Sequence, residues 1–277
     1  APLFPAEVSG DSKGAQKPSG ELVATEWAGE SLLGSPVAIS MDNRGRAYVV
    51  QTTRRRDSEL DIRSHTQWVP RVLSFESVEE RLAFYREELS AERSAVNQKW
   101  LKDRNGDGIS DIRDLGVLSE LVLRVEDRAG RGVADTRTVF ADGLNSQMTG
   151  VAAGVMWWEG SVYMTAIPSL WKFDEARTPG AVDANYEELV TGFGVHMAYS
   201  GHDMHGLTMG PDGRVYWSIG DKGLNVALPG GGRAKAAHPA GAGALHALPA
   251  AARSVQHRRL APWRPPRRVR RQCHLPQ

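Results

Sequence analysis

His196, His202, Asp203, His205 and Asp221 crowd into one short stretch of the chain. Imidazole titrates near neutral pH, so a histidine here can take a hydroxyl proton from a substrate as hydride leaves the carbon. Such a base needs a partner that fixes its tautomer, and a carboxylate on the neighbouring strand does that. His202 precedes one apolar strand and Asp221 ends the next, so a hairpin brings their two ends together. Two other readings stay open. His202 and His205, spaced i and i+3, are possible zinc ligands, with His196 or an Asp as the third. A histidine at a strand entrance can also be a hydrogen-bonded structural group and nothing more.

A second polar constellation is the run D-R-N-G-D-G-I-S-D-I-R-D at residues 103–114. Oxygen donors can come from Asp103, Asn105, Asp107, the Ile109 carbonyl, Asp111 and Asp114, and Gly108 permits a sharp turn at the sixth place. That is the spacing of a calcium loop, where several carboxylates match the charge of a hard cation. The last donor is Asp rather than the longer Glu, and no exiting helix is evident, so the reading is an isolated loop. The alternative is a solvated turn rich in Asx residues. Asp127–Asp135 has a similar outline, but Arg131 stands where the third donor belongs, and no metal is expected there.

These groups must be positioned by β-structure. Pro36–Gln51, Gly154–Pro168 and Gly206–Asp221 share one pattern: an alternating apolar run, a turn with an acid and a Gly, and a second run centred on Tyr48, Tyr163 or Tyr216. Glycine supplies the positive φ of a hairpin turn, and alternation sends every second side chain inward. Tyr163 and Tyr216 lie near the roughly 40–50-residue period of propeller blades. Tyr48 and Tyr163 are farther apart, with room for one blade and an insertion at about residues 57–120. Within that insertion a helix is predicted from Ser77, with Ser77 and Glu80 as a capping box and Val78, Leu82, Tyr85 and Leu89 on one face.

The net charge of +1 conceals two unlike segments. Residues 1–221 carry all 33 acids against 23 of the 34 Lys and Arg, and residues 222–277 carry 11 basic residues and no acid. From about residue 227 the chain is rich in Ala, Pro, Arg and Gly, which reads as a disordered basic tail or as the product of a frameshift. Shifted by one nucleotide, Arg268–Cys273 can encode acidic, strand-like text. Nucleic-acid binding is not expected of a tail with a single aromatic, Trp263. The lone cysteine, Cys273, excludes a disulfide framework and a cysteine-based haem or metal site. No apolar run reaches the roughly 18 residues of a membrane span. Residues 1–20 read as a flexible leader, and the absence of an initiator Met reads as processing or truncation.

From His202 to Gly223 the text H-x8-P-D-x3-Y-x3-G-D-x-G resembles the soluble PQQ-dependent glucose and aldose-sugar dehydrogenases. Thr52–His65, Ser77–Leu89, Thr138–Asn145, Thr191–His196 and Gly201–Leu207 resemble the propeller domain of large bacterial secreted proteins of the membrane-bound-dehydrogenase-like kind. That likeness covers about residues 20–226. It implies an all-β fold: about the first half of a six-bladed β-propeller, residues 21–226, with the helical insertion. It further implies oxidation of a CH–OH group of a sugar or alcohol, with His202 as base and Asp221 as its orienter. PQQ would be the hydride acceptor and calcium its polarising ion, with a c-type haem partner for the electrons and a secreted or periplasmic location. The Arg-Asn pair that contacts PQQ in the family would fall within the tail, where Trp263–Arg268 does not supply it, and Val226 stands where the sugar dehydrogenases carry a polar residue. A non-catalytic propeller serving as a binding or scaffold module of a secreted protein is the alternative.

Overall fold

The structure, a computed structural model, describes residues 24–175, 186–236 and, for the backbone alone, 244–249. Alternating apolar runs fold into antiparallel strands throughout. The first sheet is a meander of β1 (Pro36–Met41), β2 (Ala47–Gln51), β3 (Glu120–Glu126) and β4 (Thr136–Leu144). The second repeats that order with β5 (Ala152–Trp158), β6 (Ser161–Ala166), β7 (Ser169–Asp174) and β8 (Tyr186–Thr191). The third pairs β9 (Met204–Met209) with β10 (Arg214–Ile219), and β10 also pairs with β13 (Ala244–Pro249). A two-stranded ribbon joins β11 (Leu224–Ala227) to β12 (Arg233–Ala236). The chain is thus mostly β, in several antiparallel sheets, none of them closed.

The sheets stack through their first strands, with β5 packed against both β1 and β9. Strand alternation explains how each sheet serves two cores. In β2, Tyr48 and Val50 face the second sheet, while Ala47 and Val49 face a cluster covered by Trp27, Leu32 and Leu33. In β6, Val162 and Met164 join the first of these cores, and Tyr163 enters the core shared with the third sheet. The three tyrosine-centred segments fold as the hairpins β1–β2, β5–β6 and β9–β10. The third differs in detail. Alternation in β10 sends Val215, Trp217 and Ile219 into the core, and Tyr216, on the other face, donates to Asp212 at 2.8 Å.

Between β2 and β3 the chain forms short helical turns rather than strands. They comprise α1 (Val69–Val72), α2 (Val78–Glu88), α3 (Ser94–Asn97) and several 3-10 turns. Ser77 caps α2 by accepting from the Glu80 amide at 3.2 Å. The Glu80 carboxylate reaches past Ser77 to the Glu76 amide at 2.7 Å, so the reciprocal half of the box is displaced by one residue. Phe84 and Arg81 are buried beside Tyr85 and Leu89, which widens the inward face beyond the expected stripe. This insertion packs its own core of Trp68, Val72, Phe75 and Phe84 against Met148, Val195 and Met197, roofing one end of the sheets. No helix among the described residues is long and apolar enough to cross a membrane.

Residues 227–236 form the turn and second strand of the β11–β12 ribbon, where Gly230, Gly231 and Gly232 all adopt positive φ. The backbone of residues 244–249 extends the third sheet. Cys273, Trp263 and the Arg268–Cys273 run lie outside the described residues.

Candidate functional site

The β9–β10 hairpin brings its two ends together as alternation requires. His202 Nδ1 lies 3.0 Å from Asp221 Oδ1. The His202 side chain is 51 % exposed and that of Asp221 only 15 %, so the imidazole stands at the surface on a sheltered carboxylate. Tyr199 packs edge-on against the imidazole, with ring centroids 5.2 Å apart. The two glycines of the G-D-x-G phrase have separate physical reasons. A side-chain carbon on Gly220 would fall 2.9 Å from His202 Cβ, and one on Gly223 would fall 2.7 Å from the His196 ring. Gly220 therefore lets the strand end slide under His202, and Asp221 follows it into reach.

The other two histidines turn elsewhere. His196 is buried, with Nδ1 2.8 Å from the Val72 carbonyl oxygen, and His205 Nε2 lies 3.0 Å from the Gly201 carbonyl oxygen. Among the described residues, no three His, Cys, Asp or Glu side chains form a group that could hold a metal ion. A zinc site built on His202 and His205 is therefore not formed.

Behind the pair lies a set of buried charges that the sequence reading missed. Lys222 and Asp203, the chain neighbours of Asp221 and His202, point inward and meet at 3.1 Å. Lys222 also pairs with Glu59 of the insertion, which in turn accepts from the Ser200 hydroxyl. All three charged side chains are nearly or wholly buried. The two strand ends that present His202 and Asp221 are thus fastened to each other and to the insertion. Burial pushes the Asp203 carboxyl up, to about 8, against the pull of Lys222. The Glu59 carboxyl is buried too, but Lys222 beside it holds it below the usual range. At neutral pH one carboxylate balances the lysine, and Asp203 retains its proton.

This arrangement gives stability a definite pH dependence. The folded protein holds a proton on Asp203 that the unfolded chain has released above about pH 4, so stability falls as pH rises toward the folded value. His65, whose value burial lowers, acts oppositely, but only up to the ordinary histidine range near 6.5. Between about pH 6.5 and 8 stability is therefore expected to fall as pH rises. Urea unfolding across that window measures it, and Asp203→Asn is expected to flatten the profile. Parallel slopes in the two proteins would contradict the assignment of that proton to Asp203.

The acidic loop folds around its own backbone. The Asp103 carboxylate accepts from the Gly106 and Gly108 amides, each at 2.7 Å. Asn105 and Asp107 accept from the Asp107 and Ile109 amides, each at 2.9 Å. Asp111 caps the following 3-10 turn and pairs with Arg113, while the wholly buried Asp114 accepts from the amides of Arg104, Asn105 and Asp111. The six oxygen donors expected of a calcium loop, at Asp103, Asn105, Asp107, Ile109, Asp111 and Asp114, do not converge as placed. Asp111 and Asp114 also serve the turn that follows.

A cavity of about 370 Å³ opens within the insertion, with Arg56, Asp61, Arg63 and Trp100 in its walls. Asp61 fixes the loop that carries His202 by accepting from the Ser200 amide at 3.1 Å, and Arg63 lies 5.0 Å from the centre of the Tyr199 ring. Sequence reading did not find this cavity, because its walls come from residues 56–65 and 100–101, which carry no recognisable spacing.

No curated protein and no solved structure matches the chain. Residues 17–240 match the family described as a domain of unknown function, DUF7133, and the chain belongs to that family.

Proposed function

We propose that the chain carries the proton-abstracting part of a propeller dehydrogenase that oxidises a CH–OH group of a sugar or alcohol. The observation that carries this reading is the 3.0 Å approach of Asp221 to Nδ1 of a half-exposed His202. With Nδ1–H donated to the carboxylate, Nε2 is the free base position, and it would accept the hydroxyl proton while hydride passes from the carbon bearing that hydroxyl to a quinone acceptor. Asp221 holds the tautomer and stabilises the imidazolium that results. Two successive antiparallel meanders, stacked first strand to first strand with a third sheet following, support a propeller as the frame.

The hydride needs an acceptor, and the family resemblance names PQQ. PQQ is a polycarboxylate, but Lys222, the cation nearest the pair in the chain, is buried on Glu59 and Asp203. Val226 lies in the apolar core.

The test is dye-linked aldose oxidation by the full-length gene product with PQQ added. His202→Asn is expected to lower turnover by about 10²- to 10⁴-fold, the usual contribution of a general base. Asp221→Asn should fall with it, because it favours the wrong tautomer. Turnover unchanged in both variants would leave the second reading, a non-catalytic binding module.

A further inference from the structure

We propose that the cavity within the insertion binds an anionic saccharide unit, a sugar ring bearing a carboxylate or sulfate, with Arg56 recognising its charge. The saccharide part rests on the dehydrogenase reading above; the anionic part rests on the lining itself.

Around the cavity each acid is already paired, and Arg56 is left without one among the described residues. Asp57 is paired with Arg104 and lies 3.6 Å from Lys102. Asp61 accepts from Arg63 Nε at 2.9 Å, and Glu59 is held by Lys222. Arg56 lines the cavity, is exposed, and has no acidic partner among the described residues. Its backbone sits at φ 62°, in the left-handed region that a non-glycine side chain enters at a cost of roughly 1–3 kcal/mol. Strain of that kind, at a residue with no internal partner, is retained where the side chain meets a ligand. A guanidinium can grip a carboxylate or sulfate through two parallel N–H donors.

The rest of the cavity suits a sugar ring. Trp100 remains 37 % exposed on the wall, its ring edge-on to His65 with centroids 4.3 Å apart. An exposed indole offers an apolar surface to the C–H side of a ring, while Arg63 and Asp61 offer polar partners to hydroxyls. The volume falls within the roughly 300–1,000 Å³ of small-molecule sites. From this wall Arg63 leads to Tyr199, and Tyr199 to His202.

The experiment titrates the purified chain with glucuronate, glucose 6-sulfate, glucose and acetate, followed by ligand-observed NMR. Glucuronate or glucose 6-sulfate is expected to bind about tenfold more tightly than glucose, the effect of one charge-assisted contact. The better of the two identifies the anion. Arg56→Asn, which suits positive φ and so preserves the loop, should erase the preference, and Arg56→Lys should keep most of it. Equal affinity for glucose, a preference that survives Arg56→Asn, or acetate binding as tightly as glucuronate would overturn the proposal. His202→Asn separates the two readings. It should leave this binding unchanged, so binding without any dependence of turnover on His202 would sink the base and spare the cavity.

Discussion

Lys222→Met is expected to lower the free energy of unfolding by about 3–5 kcal/mol, because it leaves buried carboxyl groups without their cation. Lys222 is 3 % exposed, and its ammonium is shared by Glu59 and Asp203, both buried in turn. Of the two acids Glu59 suffers more. Asp203 already holds its proton at neutral pH, whereas Glu59 is kept ionised by Lys222 and must either remain a lone buried charge or bind a proton itself. The loss should therefore be largely recovered in Lys222→Met combined with Glu59→Gln, since a neutral, similarly shaped set removes the penalty with the charge. Denaturant unfolding of the two single variants and the double variant closes the cycle. Additive losses would mean that the two residues stabilise the fold independently. The same cycle bears on the site: Glu59 belongs to the insertion, and Lys222 is adjacent to Asp221. Weakening their bond should let the ends of β9 and β10 drift before the sheets come apart.

How much of this was legible in the sequence varies with the physics of each feature. The hairpins were legible because alternation and a turn glycine are local signals, and His202 and Asp221 met because a hairpin of that length has only one way to align its ends. The buried triad was not legible. Asp203 and Lys222 look like ordinary surface charges beside the functional residues, and their partner Glu59 lies far off in the chain, so only the packing of insertion on sheet reveals them. Trp217 rather than Tyr216 entered the core because it shares the face of Val215 and Ile219, a choice of face that the tyrosine-centred pattern does not mark. The acidic loop was legible as a tight turn, since Gly106 and Gly108 take φ 76° and 83°. The destination of its carboxylates was not, because the same spacing serves a cation or the loop's own amides. Helix α2 was legible in its start and one flank, but buried Arg81 broke the apolar stripe that would have marked its full inward face.

The three consecutive arginines 54–56 illustrate the same limit, and Arg54→Met provides the second large effect, again about 3–5 kcal/mol. Arg54 is wholly buried, while its neighbours Arg55 and Arg56 are exposed. Its guanidinium donates to three carbonyls, those of Leu118, Ser146 and Thr149, and so ties the end of β2 to the entrance of β3 and to the link between the first two sheets. Burial lowers its pKa to about 10, countered by Glu120, so it keeps its charge at neutral pH. Glu120 is equally buried and accepts from the Thr52 hydroxyl and from the amides of Thr53, Arg54 and Ala152. Methionine fills the space of the side chain but leaves three carbonyls without donors and Glu120 without its cation. Lysine restores the charge but not the planar fork, so Arg54→Lys should recover only part of the loss. Unfolding of Arg54→Met, Arg54→Lys and Arg55→Met by urea distinguishes these roles. The exposed Arg55→Met control is expected to stay within about 0.5 kcal/mol of the parent protein. An Arg54→Met protein as stable as that control would show that the carbonyls find other donors, and that the two sheets are held by their apolar contacts alone.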